Sequence, residues 1–358
     1  MYRNTKNVPY YVFGRGSLAQ LGDLLKPRRE AVDGPVVYFV DHFFRDHELI
    51  GRLPMEKGDQ LHFVDSSSEP EVTRIDAFKE AVSAADSRTP CCVVGIGGGN
   101  ALDTAKAVAN LLTNPGKAED YQGWELVKNP AVYKIGIPTL SGTGSECSRT
   151  CVLTNIPKNL KLGMNSDYTV YDQLLLDPDL LATVPRDQYF YTGIDTFMHC
   201  VESLQGSYRN AIIDAFSVRA VQLCEEIFLS DDMMSEENRE KMMIASYIGG
   251  MAAGNVGVIH PFSAGLGVVL HVAHGLGNCL ALNVLGDIYP KEYKQFRTMI
   301  ERQGVNLPTG ICKDLTEEQY EGLYRGYIVH EKPLTNALGP DFKQILTREN
   351  LIERYKSI

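Results

Sequence analysis

One aspartate and three histidines have residue types and spacing that could hold a divalent metal ion. Asp195 and His199 stand four positions apart in the helical-type segment GIDTFMH, which places both side chains on one helix face, one turn apart. A capping aspartate and a core histidine would show the same spacing, so this pair alone does not define a site. His260, which precedes a proline, and His274, which precedes a glycine, complete a donor set suited to Fe²⁺ or Zn²⁺, with a position left for a substrate oxygen.

The stretch 242–286 supports this interpretation because it contains no Asp, Glu, Lys or Arg but keeps three histidines. Any one histidine is most often a hydrogen-bonded core residue, yet such a stretch has little reason to keep His260, His271 and His274 together. His271 is the rival of His274 as a ligand, since it precedes His274 by about one helical turn. A membrane-spanning helix needs about 20 mostly apolar residues, whereas histidines, a proline and many glycines interrupt this stretch. We therefore expect a buried helical core around a polar site and no membrane span.

A glycine-rich turn between a predicted strand and a predicted helix could bind a phosphate. It consists of Gly97, Gly98, Gly99 and Asn100. Glycines let the backbone approach a phosphate, and the first helical N–H groups point at it. The turn does not match the GxGxxG fingerprint and follows a late strand, so a tight turn without a ligand is the alternative. Asp103 and Lys106 lie on the first helical turns that follow, where Lys106 could contact the phosphate or be an ordinary surface lysine.

Two further segments could contact a nucleotide cofactor. The loop 138–146 carries the hydroxyls of Thr139, Ser141 and Thr143, which could line a crevice at the carboxyl ends of parallel strands. A solvent-exposed turn is equally compatible with this loop. Asp41 directly follows a predicted strand, where a carboxylate can accept hydrogen bonds from an adenosine ribose and favour NAD over NADP. The alternative for Asp41 is a helix N-cap.

The elements that must position these residues differ between the two halves of the chain. In the first half, β-rich runs at 8–13, 36–40, 61–64, 91–95, 133–137 and 174–176 alternate with helical segments at 17–25, 71–84 and 101–112. This alternation predicts an α/β domain with a parallel sheet between helices. In the second half, segments at 186–204, 211–228, 236–253, 317–330 and 348–355 show helical spacing and little strand signal. We therefore predict a nucleotide-binding α/β domain at residues 1–182 and an all-helical metal-binding domain at 183–358.

Composition limits the classes of protein that remain. The 358 residues carry 35 Lys and Arg against 45 Asp and Glu, and the net charge of −10 disfavours nucleic-acid binding, which needs clustered basic residues. Apolar residues at 44% and charged residues at 22% are typical of globular proteins. The first residues lack the apolar segment of a signal peptide, and the eight cysteines form no CxxC pair. We therefore expect a cytoplasmic protein with reduced thiols.

Four motifs together make the sequence resemble the iron-dependent (group III) alcohol dehydrogenase family. They are GGGNALDTAK at 97–106, PTLSGTGSE at 138–146, GIDTFMHCVES at 193–203, and the histidine pair His260 and His274. The resemblance implies a dehydroquinate synthase-like fold, an iron ion (or zinc) and NAD(H). The implied metal ligands are Asp195, His199, His260 and His274. It also implies a pyrophosphate turn at 97–100 with Asp103 after it, a nicotinamide-side loop carrying Thr139, Ser141 and Thr143, an NAD-selecting Asp41, and a homodimer or larger assembly.

Within that family, the segments YQGWELVKNPAV and KLGMNSDYTVYDQ resemble a subfamily that acts on a sugar acid. That subfamily oxidises the C8 hydroxyl of 3-deoxy-D-manno-octulosonate to an aldehyde, for a later step of lipopolysaccharide biosynthesis. A substrate carboxylate needs a cation, for which Arg149 and Lys161 are candidates, although both could equally be ordinary surface residues. Many family members have a second histidine for proton relay where this chain has Ala264. We hypothesise that His271 or a water chain replaces it.

Other functions stay open from the sequence. A NAD-dependent alcohol dehydrogenase or aldehyde reductase acting on another small alcohol or polyol would use the same residues. A dehydroquinate synthase-like lyase would use Zn²⁺ and NAD transiently, but the absence of Lys and Arg from 242–286 disfavours the phosphate-bearing substrate of that class. A non-catalytic sugar or nucleotide sensor would need no complete metal site. The sequence does not decide between NAD and O₂ as the final electron acceptor.

Overall fold

The computed structural model describes residues 6–158 and 160–358, which form two compact units. The first unit contains the described residues up to Leu140 together with Ser145–Thr183, and the second contains Ser141–Gly144 together with Val184–Ile358. The middle of the polar loop 138–146 thus groups with the helical unit, which the sequence analysis did not predict. The segment considered for a signal peptide begins in residues 1–5, which lie outside the described residues.

The strands lie in the first unit and form two sheets. They are β1 (Tyr10–Phe13), β2 (Val36–Asp41), β3 (Gln60–Val64), β4 (Cys92–Gly97), β5 (Gly123–Trp124), β6 (Lys134–Pro138), β7 (Thr150–Asn155), β8 (Leu160–Asn165) and β9 (Gln173–Leu176). Six of them pair in parallel in the order β1-β9-β6-β4-β2-β3. Parallel neighbours require crossover connections, so the helices between these strands cover the sheet.

Helices α1 (Leu21–Ala31), α2 (Val72–Ala85) and α3 (Gly99–Leu111) belong to this unit. The side chains of β2 alternate between two cores: Val36, Tyr38 and Val40 pack with residues of α1, whereas Val37 and Phe39 pack with residues of α2 and α3. A strand that is buried on both faces reads as a continuous apolar run in the sequence. The predicted α/β class is therefore confirmed, with a core on each face of the sheet.

A small second sheet was not predicted. Strands β7 and β8 form an antiparallel pair, and β5 adds to β8 in parallel. Burial along β7 alternates, with Cys151, Leu153 and Asn155 buried and the residues between them less so. The sequence TCVLTN does not show this alternation, because Cys151, Val152 and Leu153 are consecutive apolar residues and the buried Asn155 is polar, so the two-residue period of a half-buried strand was absent.

The described residues of the second unit form helices and loops, which confirms the predicted helical C-terminal half. Its helices are α4 (Arg186–Gln205), α5 (Ala211–Phe228), α6 (Glu236–Gly249), α7 (Ile259–Leu270), α8 (His274–Val284), α9 (Pro290–Gln303), α10 (Glu317–Ile328), α11 (Glu331–Leu338), α12 (Phe342–Ile345) and α13 (Arg348–Lys356). Helix α4 is the central element, because it packs against α5, α6 and α8 and nearly all its residues from Tyr189 to Ser203 are buried. Helix α7 packs against α8 and α10.

Two expectations about the charge-free stretch 242–286 and the cysteines can be compared with the structure. No single helix in the described ranges is long and apolar enough to cross a membrane, although the pair Glu236–Asn255 and Ile259–Leu270, bent by 91°, meets that test when taken together. All eight cysteines are buried free thiols.

Candidate active site

Helix α4 presents three ionisable side chains on one face. Asp195, His199 and Glu202 follow one another at intervals of four and three residues, the spacing that stacks side chains along a helix. Their exposures are 1%, 4% and 0%, so the neighbouring helices remove them from water. Helix α4 therefore supplies two predicted metal ligands and a carboxylate that the sequence analysis did not include.

The other two predicted ligands lie at the starts of α7 and α8. His260 is the second residue of α7 and His274 is the first residue of α8. Gly275 lets α8 begin close to α4, because a Cβ atom at this position would lie 2.7 Å from the carbonyl oxygen of Tyr191. A larger residue at position 275 would push His274 away from α4.

The predicted ligands converge on the Asp195 carboxylate. Its Oδ1 lies 3.1 Å from Nε2 of His260 and 3.7 Å from Nε2 of His199, and its Oδ2 lies 3.6 Å from Nε2 of His274. The rings of His199 and His260 stack with centroids 4.4 Å apart. Donor atoms of Asp195, His260 and His274 all lie within 4.8 Å of one another, whereas His199 falls outside this tighter set. The structure thus brings all four side chains to one place, with His199 at its margin.

A buried amide completes the cluster. Asn278 follows His274 by four residues on α8 and donates from Nδ2 to Oδ1 of Asp195 at 2.7 Å. The same nitrogen lies 3.4 Å from Nε2 of His260 and 3.3 Å from Nε2 of His274. Asn278 therefore fixes the orientation of the carboxylate on which the histidines converge.

The residues present fit a divalent transition-metal ion. Among the described residues, Oδ2 of Asp195 and Nδ1 of His199 are buried and have no hydrogen-bond partner. An unpaired buried polar atom costs about 1–3 kcal/mol, so such atoms are uncommon unless a ligand completes them. One carboxylate and three imidazoles are donors that suit Fe²⁺ or Zn²⁺. The orphaned carboxylate oxygen and the chemistry of the donors point to the same kind of ion.

Burial and neighbouring charges shift the pKa values of Asp195, His199 and His260 in different directions. Burial opposes ionisation of Asp195, but His199, His274 and His260 together hold its pKa well below the usual range. Burial lowers the pKa of His199 to about 3 despite the attraction of Asp195, so this imidazole is neutral and free to act as a ligand. Burial also disfavours protonation of His260, but the Glu202 carboxylate outweighs it and raises the pKa of His260 to about 9.

His271 does not lie one helical turn before His274, and this part of the sequence interpretation is wrong. Helix α7 ends at Leu270, and His271 adopts the left-handed conformation with φ 55° as its C-cap. Helix α8 starts only at His274, so the two histidines lie on different helices. The His271 side chain is exposed, unlike those of Asp195 and His199. Its role as a proton relay stays a prediction.

The predicted phosphate turn lies at the carboxyl ends of neighbouring strands in the first unit. Gly97 ends β4 with φ 151°, and a Cβ atom there would lie 2.9 Å from Cβ of Asp41, the last residue of β2. Gly98 is the N-cap of α3, and Gly99 is its first residue, so the first free N–H groups of the helix belong to this turn. Asp41 accepts hydrogen bonds from the backbone N–H of Phe43 at 3.0 Å and the hydroxyl of Ser66 at 2.8 Å. Asp41 is thus an N-cap. A hydrogen bond from the same carboxylate to the cofactor ribose stays a prediction.

The side chains that follow the turn have structural partners. Asn100 donates to the carbonyl oxygens of Ser66 and Ser68. Asp103 accepts from the hydroxyl of Ser145 and from the backbone N–H of Val152. These contacts fix the loops beside the turn. The side chains of Asn100 and Asp103, which were predicted to contact the cofactor, thus already form hydrogen bonds with other residues of the chain.

Lys106 is neither a surface lysine nor an available phosphate ligand. It is 0% exposed, and its ammonium donates to the carbonyl oxygens of Ser145, Ser148 and Thr150. Its distance to Oδ1 of Asp103 is 3.7 Å. Three ammonium protons and three carbonyl acceptors match in number, so Lys106 holds the segment 145–150 rather than a ligand.

The loop 138–146 is buried rather than solvent-exposed. The backbone N–H of Thr139 donates to the carbonyl of Gly97 at 3.0 Å in the first unit. In the second unit, Gly142 donates to the Ser246 hydroxyl at 2.7 Å and accepts from the Thr196 hydroxyl at 2.9 Å, so residues 141–144 are fixed to α4 and α6. The Ser141 hydroxyl is buried and has no hydrogen-bond partner in the described residues. Thr143 lies in the same segment, partly buried.

Arg149 and Lys161, the predicted carboxylate-binding cations, each pair with acidic residues of the first unit. Arg149 binds Asp167 and Glu125, both at 2.6 Å. Lys161 lies on β8 with its ammonium 2.9 Å from Glu69 and is 7% exposed. Acidic residues of the fold compensate both positive charges. Arg149 and Lys161 are therefore not ordinary surface residues, which was the alternative interpretation of the sequence. A substrate carboxylate would have to compete with these partners.

Sequence reasoning missed Glu202 and Asn278. Glu202 follows His199 by three residues and Asn278 follows His274 by four, so each lies on the same helix face as a predicted ligand. This spacing was a usable signal. It was not decisive, because nothing local shows which neighbouring helix such a side chain would meet.

The described residues therefore define a two-part class of protein. A parallel-sheet α/β unit carries a glycine turn, and a helical unit carries a cluster of one aspartate and three histidines suited to a metal ion. A family model described as iron-containing alcohol dehydrogenase matches residues 9–178, and one described as the C-terminal part of the Fe-containing alcohol dehydrogenase family matches residues 189–322. The chain belongs to the iron-containing alcohol dehydrogenase family, which confirms the resemblance drawn from its motifs.

Named relatives act on small alcohols and aldehydes. The sulfoacetaldehyde reductase of Bilophila wadsworthia is 34% identical over 220 residues, which cover 60% of this chain and 56% of that protein. The NAD-dependent methanol dehydrogenase of Bacillus methanolicus is 29% identical over 278 residues, covering 75% of this chain and 71% of that one. The first alignment thus spans little more than half the relative's length.

Solved structures share the whole fold. The sulfoacetaldehyde reductase of Bifidobacterium kashiwanohense, in complex with NAD⁺, superposes with a TM-score of 0.80 at 24% identity and covers 99% of this chain and 98% of its own. An alcohol dehydrogenase from Oenococcus oeni gives a TM-score of 0.84 at 21% identity, covering 99% of both chains. At these identities the likeness establishes the architecture.

Proposed function

We propose that this chain is a metal- and NAD-dependent oxidoreductase that interconverts a primary alcohol and its aldehyde. The observation that carries the proposal is the Asp195 carboxylate, which lies within 3.7 Å of three histidines and has a buried oxygen without a hydrogen-bond partner in the described residues. Membership of the iron-containing alcohol dehydrogenase family supports the same activity.

Asp195, His199, His260 and His274 would hold the ion, iron or alternatively zinc. The glycine turn 97–100 and Asp41 would hold the pyrophosphate and ribose of NAD(H). When bound, the ion supplies a Lewis acid that lowers the pKa of the substrate hydroxyl, and the nicotinamide supplies the hydride acceptor. The alcohol carbon loses a hydride and its oxygen loses a proton, so that one alcohol and one NAD⁺ give one aldehyde, one NADH and one proton.

The residues of the chain prepare this chemistry. Asn278 holds the Asp195 carboxylate in one orientation through the 2.7 Å hydrogen bond, and the neutral His199 can present a lone pair without releasing a proton. Burial of Asp195 and His199 keeps water from competing for their donor atoms.

For the substrate, the first candidate is the C8 hydroxyl of 3-deoxy-D-manno-octulosonate, and the alternative is another small alcohol or polyol. The motifs shared with the sugar-acid subfamily support the first candidate. A relative named for reducing sulfoacetaldehyde, itself an anion, is consistent with a small anionic substrate in either case. The cation for the substrate anion stays a prediction for Arg149 and Lys161. If Arg149→Ala and Lys161→Ala both leave KM for an acidic sugar unaltered, another group binds it.

The test is turnover of a substrate panel by protein loaded with Fe²⁺ or Zn²⁺ under anaerobic conditions. The panel contains 3-deoxy-D-manno-octulosonate, methanol, 1,3-propanediol and isethionate, each with and without NAD⁺. We expect one NADH per aldehyde and no turnover after chelation. Turnover that survives complete metal removal would overturn the proposal, as would consumption of a panel member without net NADH, which would indicate lyase or oxidase chemistry.

We further propose that the protein acts in the cytoplasm as a homodimer or larger assembly, without a nucleic-acid or membrane partner. The net charge of −10 supports the absence of a nucleic-acid partner, the eight buried free thiols support a reducing compartment, and the family resemblance implies the homodimer or larger assembly. Light scattering of the metal-loaded protein measures the assembly, and a mass corresponding to one chain would exclude the dimer.

A further inference from the structure

We propose that Glu202 is the positioning residue of the metal centre, acting through His260; this inference rests on the metal site of the proposed function. Glu202 is 0% exposed and lies on α4, one turn beyond His199. Its Oε2 accepts a hydrogen bond from Nδ1 of His260, and its Oε1 accepts one from the backbone N–H of Ile259 at 2.6 Å. Both donors belong to the first two residues of α7.

The contact with Nδ1 decides which nitrogen of His260 faces the other ligands. A carboxylate only accepts hydrogen bonds, so the proton of the neutral imidazole must lie on Nδ1 and the lone pair on Nε2. That Nε2 atom points at Asp195, 3.1 Å from Oδ1. A carboxylate behind a ligating imidazole fixes the ring orientation and increases its basicity as a donor. Glu202 therefore directs the Nε2 atom of His260 toward the other ligands, so that this atom is the one available to an ion once the ring is neutral.

The contact with Ile259 fixes the carboxylate in turn. The first N–H groups of a helix have no partner within the helix and form its positive end, which favours an anion. Glu202 supplies that anion at the start of α7 from a different helix. The close passage of the chain before α7 supports the arrangement, because a Cβ atom on Gly257 would lie 3.1 Å from Oε1 of Glu202.

A comparison with His199 shows that this support is specific. Nδ1 of His199 is buried without a hydrogen-bond partner in the described residues, whereas Nδ1 of His260 has the Glu202 carboxylate. His260 is thus held by a charged partner, and His199 depends on packing and on ring stacking with His260. His260 therefore has a charged partner behind its ring that His199 lacks in the described residues.

Glutamine cannot replace Glu202 in this role. Two N–H donors converge on the side chain, and glutamine has one acceptor oxygen and one NH₂ donor. If its oxygen accepts from Ile259, its NH₂ faces Nδ1 of His260 and forces the proton onto Nε2, where it blocks ligation. If the amide is reversed, the NH₂ meets the Ile259 N–H. Glu202→Gln therefore changes the donor pattern with almost no change in volume.

The experiment compares Co²⁺ binding by the wild-type chain, Glu202→Gln and Ser203→Ala. Co²⁺ affinity is measured by chelator competition and by the visible absorption of the bound ion, and the fold of each metal-free protein by circular dichroism. Ser203 is the next residue of α4, is 0% exposed and has no partner for its hydroxyl in the described residues, so it controls for a buried change in the same helix. We expect Glu202→Gln to weaken Co²⁺ binding by about 10–100-fold with an altered spectrum, and Ser203→Ala to bind as the wild type does.

Each outcome has one meaning. Wild-type affinity and spectrum in a folded Glu202→Gln would overturn the role of Glu202 and leave the metal site intact. Failure of the wild-type chain itself to bind Co²⁺, Fe²⁺ or Zn²⁺ would instead refute the proposed function. If Glu202→Gln does not fold, nitrogen NMR of histidine-labelled, zinc-loaded wild-type protein decides the point. A signal that disappears in His260→Gln must show the Nδ1-protonated tautomer, and the Nε2-protonated tautomer would overturn the inference.

Discussion

Two buried polar clusters, one in each unit, differ in how completely their atoms are paired. The ammonium cluster of the first unit is built on Lys106 and Asp103. Lys106 donates to three carbonyl oxygens, and both oxygens of Asp103 accept hydrogen bonds. The imidazole cluster of the second unit is built on Asp195 and its three histidines. There the described residues leave Oδ2 of Asp195, Nδ1 of His199 and Oδ1 of Asn278 without hydrogen-bond partners.

This difference separates a structural cluster from a ligand-binding one. Burying charged groups is costly, and the cost is offset only where hydrogen bonds satisfy each group. In the ammonium cluster that compensation is complete, although burial still raises the pKa of Asp103. In the imidazole cluster the fold keeps buried atoms whose partners must come from elsewhere. Both clusters have chemically active residue types, so residue type does not distinguish them. Unpaired atoms on a set of converging donors do, whereas isolated unpaired atoms such as the Ser203 hydroxyl and Oδ1 of Asp214 occur elsewhere in the described residues.

The largest effect is expected from Asp195→Asn, which preserves shape and removes the shared anion. Metal ligands must be deprotonated and charged carboxylates bind divalent ions far better than amides. We expect metal affinity to fall by more than the ~10–100-fold that outer-shell changes cost, with activity lost in proportion. The free energy of unfolding of the metal-free protein should fall as well, by about 3–5 kcal/mol, because the histidines hold the buried Asp195 carboxylate in its charged form. Metal titration and chemical denaturation followed by circular dichroism measure both quantities.

The matched control is Asp214→Asn. Asp214 is an aspartate of α5 in the same unit, with Oδ2 paired to Arg209 at 2.8 Å and Oδ1 buried without a partner in the described residues, so it controls for an unpaired carboxylate oxygen outside the histidine cluster. It should leave metal affinity unchanged. If Asp195→Asn still bound one metal ion per chain with undiminished affinity, the unpaired oxygen of Asp195 would not be a ligand. The conclusion that the imidazole cluster differs from the ammonium cluster by binding a ligand would then be wrong.

Lys106→Met should lower stability without lowering metal affinity. Methionine has a similar length but leaves the carbonyls of Ser145, Ser148 and Thr150 and the Asp103 carboxylate without their cation. Removing one member of a buried charged group costs about 3–5 kcal/mol. We expect that loss in the unfolding free energy of the first unit, with metal affinity unchanged. Trp124, the only tryptophan, lies on β5 of this unit, so its fluorescence during urea unfolding reports the relevant transition.

Lys79→Met serves as the control for Lys106→Met. Lys79 lies on α2 of the same unit and makes one exposed hydrogen bond to the Gly116 carbonyl at 2.9 Å. Such surface changes alter stability by about 0.5 kcal/mol or less. If Lys106→Met left the unfolding free energy as unchanged as this control does but impaired metal or NAD binding, the ammonium cluster would have a role in ligand binding rather than a structural one.

How far the sequence predicts each cluster depends on whether the contacts are local. The spacing of Asp195 and His199 fixes their common helix face, and the helix at Ala211–Phe228 was predicted with the observed ends, since apolar periodicity within one helix is a local property. The α/β class followed from alternation of strands and helices. The hydrogen-bond partners of Glu202 and Lys106 were not predictable in this way, because they come from residues 39 to 58 positions away along the chain.

Local patterns also failed where the backbone departs from regular geometry. His271 was placed one helical turn before His274, but its left-handed conformation ends α7 and separates the two. The residue is not glycine, so nothing in its type signals the break. The segment 236–253 likewise was predicted as one helix, whereas α6 ends at Gly249 and a 3₁₀ helix follows over Gly250–Asn255.

The smallest effect is expected at a third cluster, fully paired but nearer to solvent. In the first unit, the guanidinium of Arg29 donates to both oxygens of Asp59 at 2.9 and 2.6 Å, and the backbone N–H groups of Val36 and Glu56 also donate to them. Burial opposes ionisation of Asp59, but the Arg29 hydrogen bonds and the two backbone N–H groups outweigh it, so the pKa of Asp59 lies below its usual value. Complete pairing predicts a structural role here too.

Because the folded-state pKa of Asp59 is the lower one, its stabilisation is fully present above the unfolded-state value of about 4 and is lost as pH falls through the folded-state value. We expect Asp59→Asn to lower the unfolding free energy at neutral pH by about 2 kcal/mol, and the gap from the wild type to narrow below about pH 4. Urea unfolding followed by Trp124 fluorescence across this range measures it. Asp33→Asn, which removes an exposed partner of Arg88, should show neither the loss nor the narrowing. A gap that stayed constant with pH would mean that the Asp59 charge contributes nothing, and that complete pairing alone does not identify a stabilising cluster.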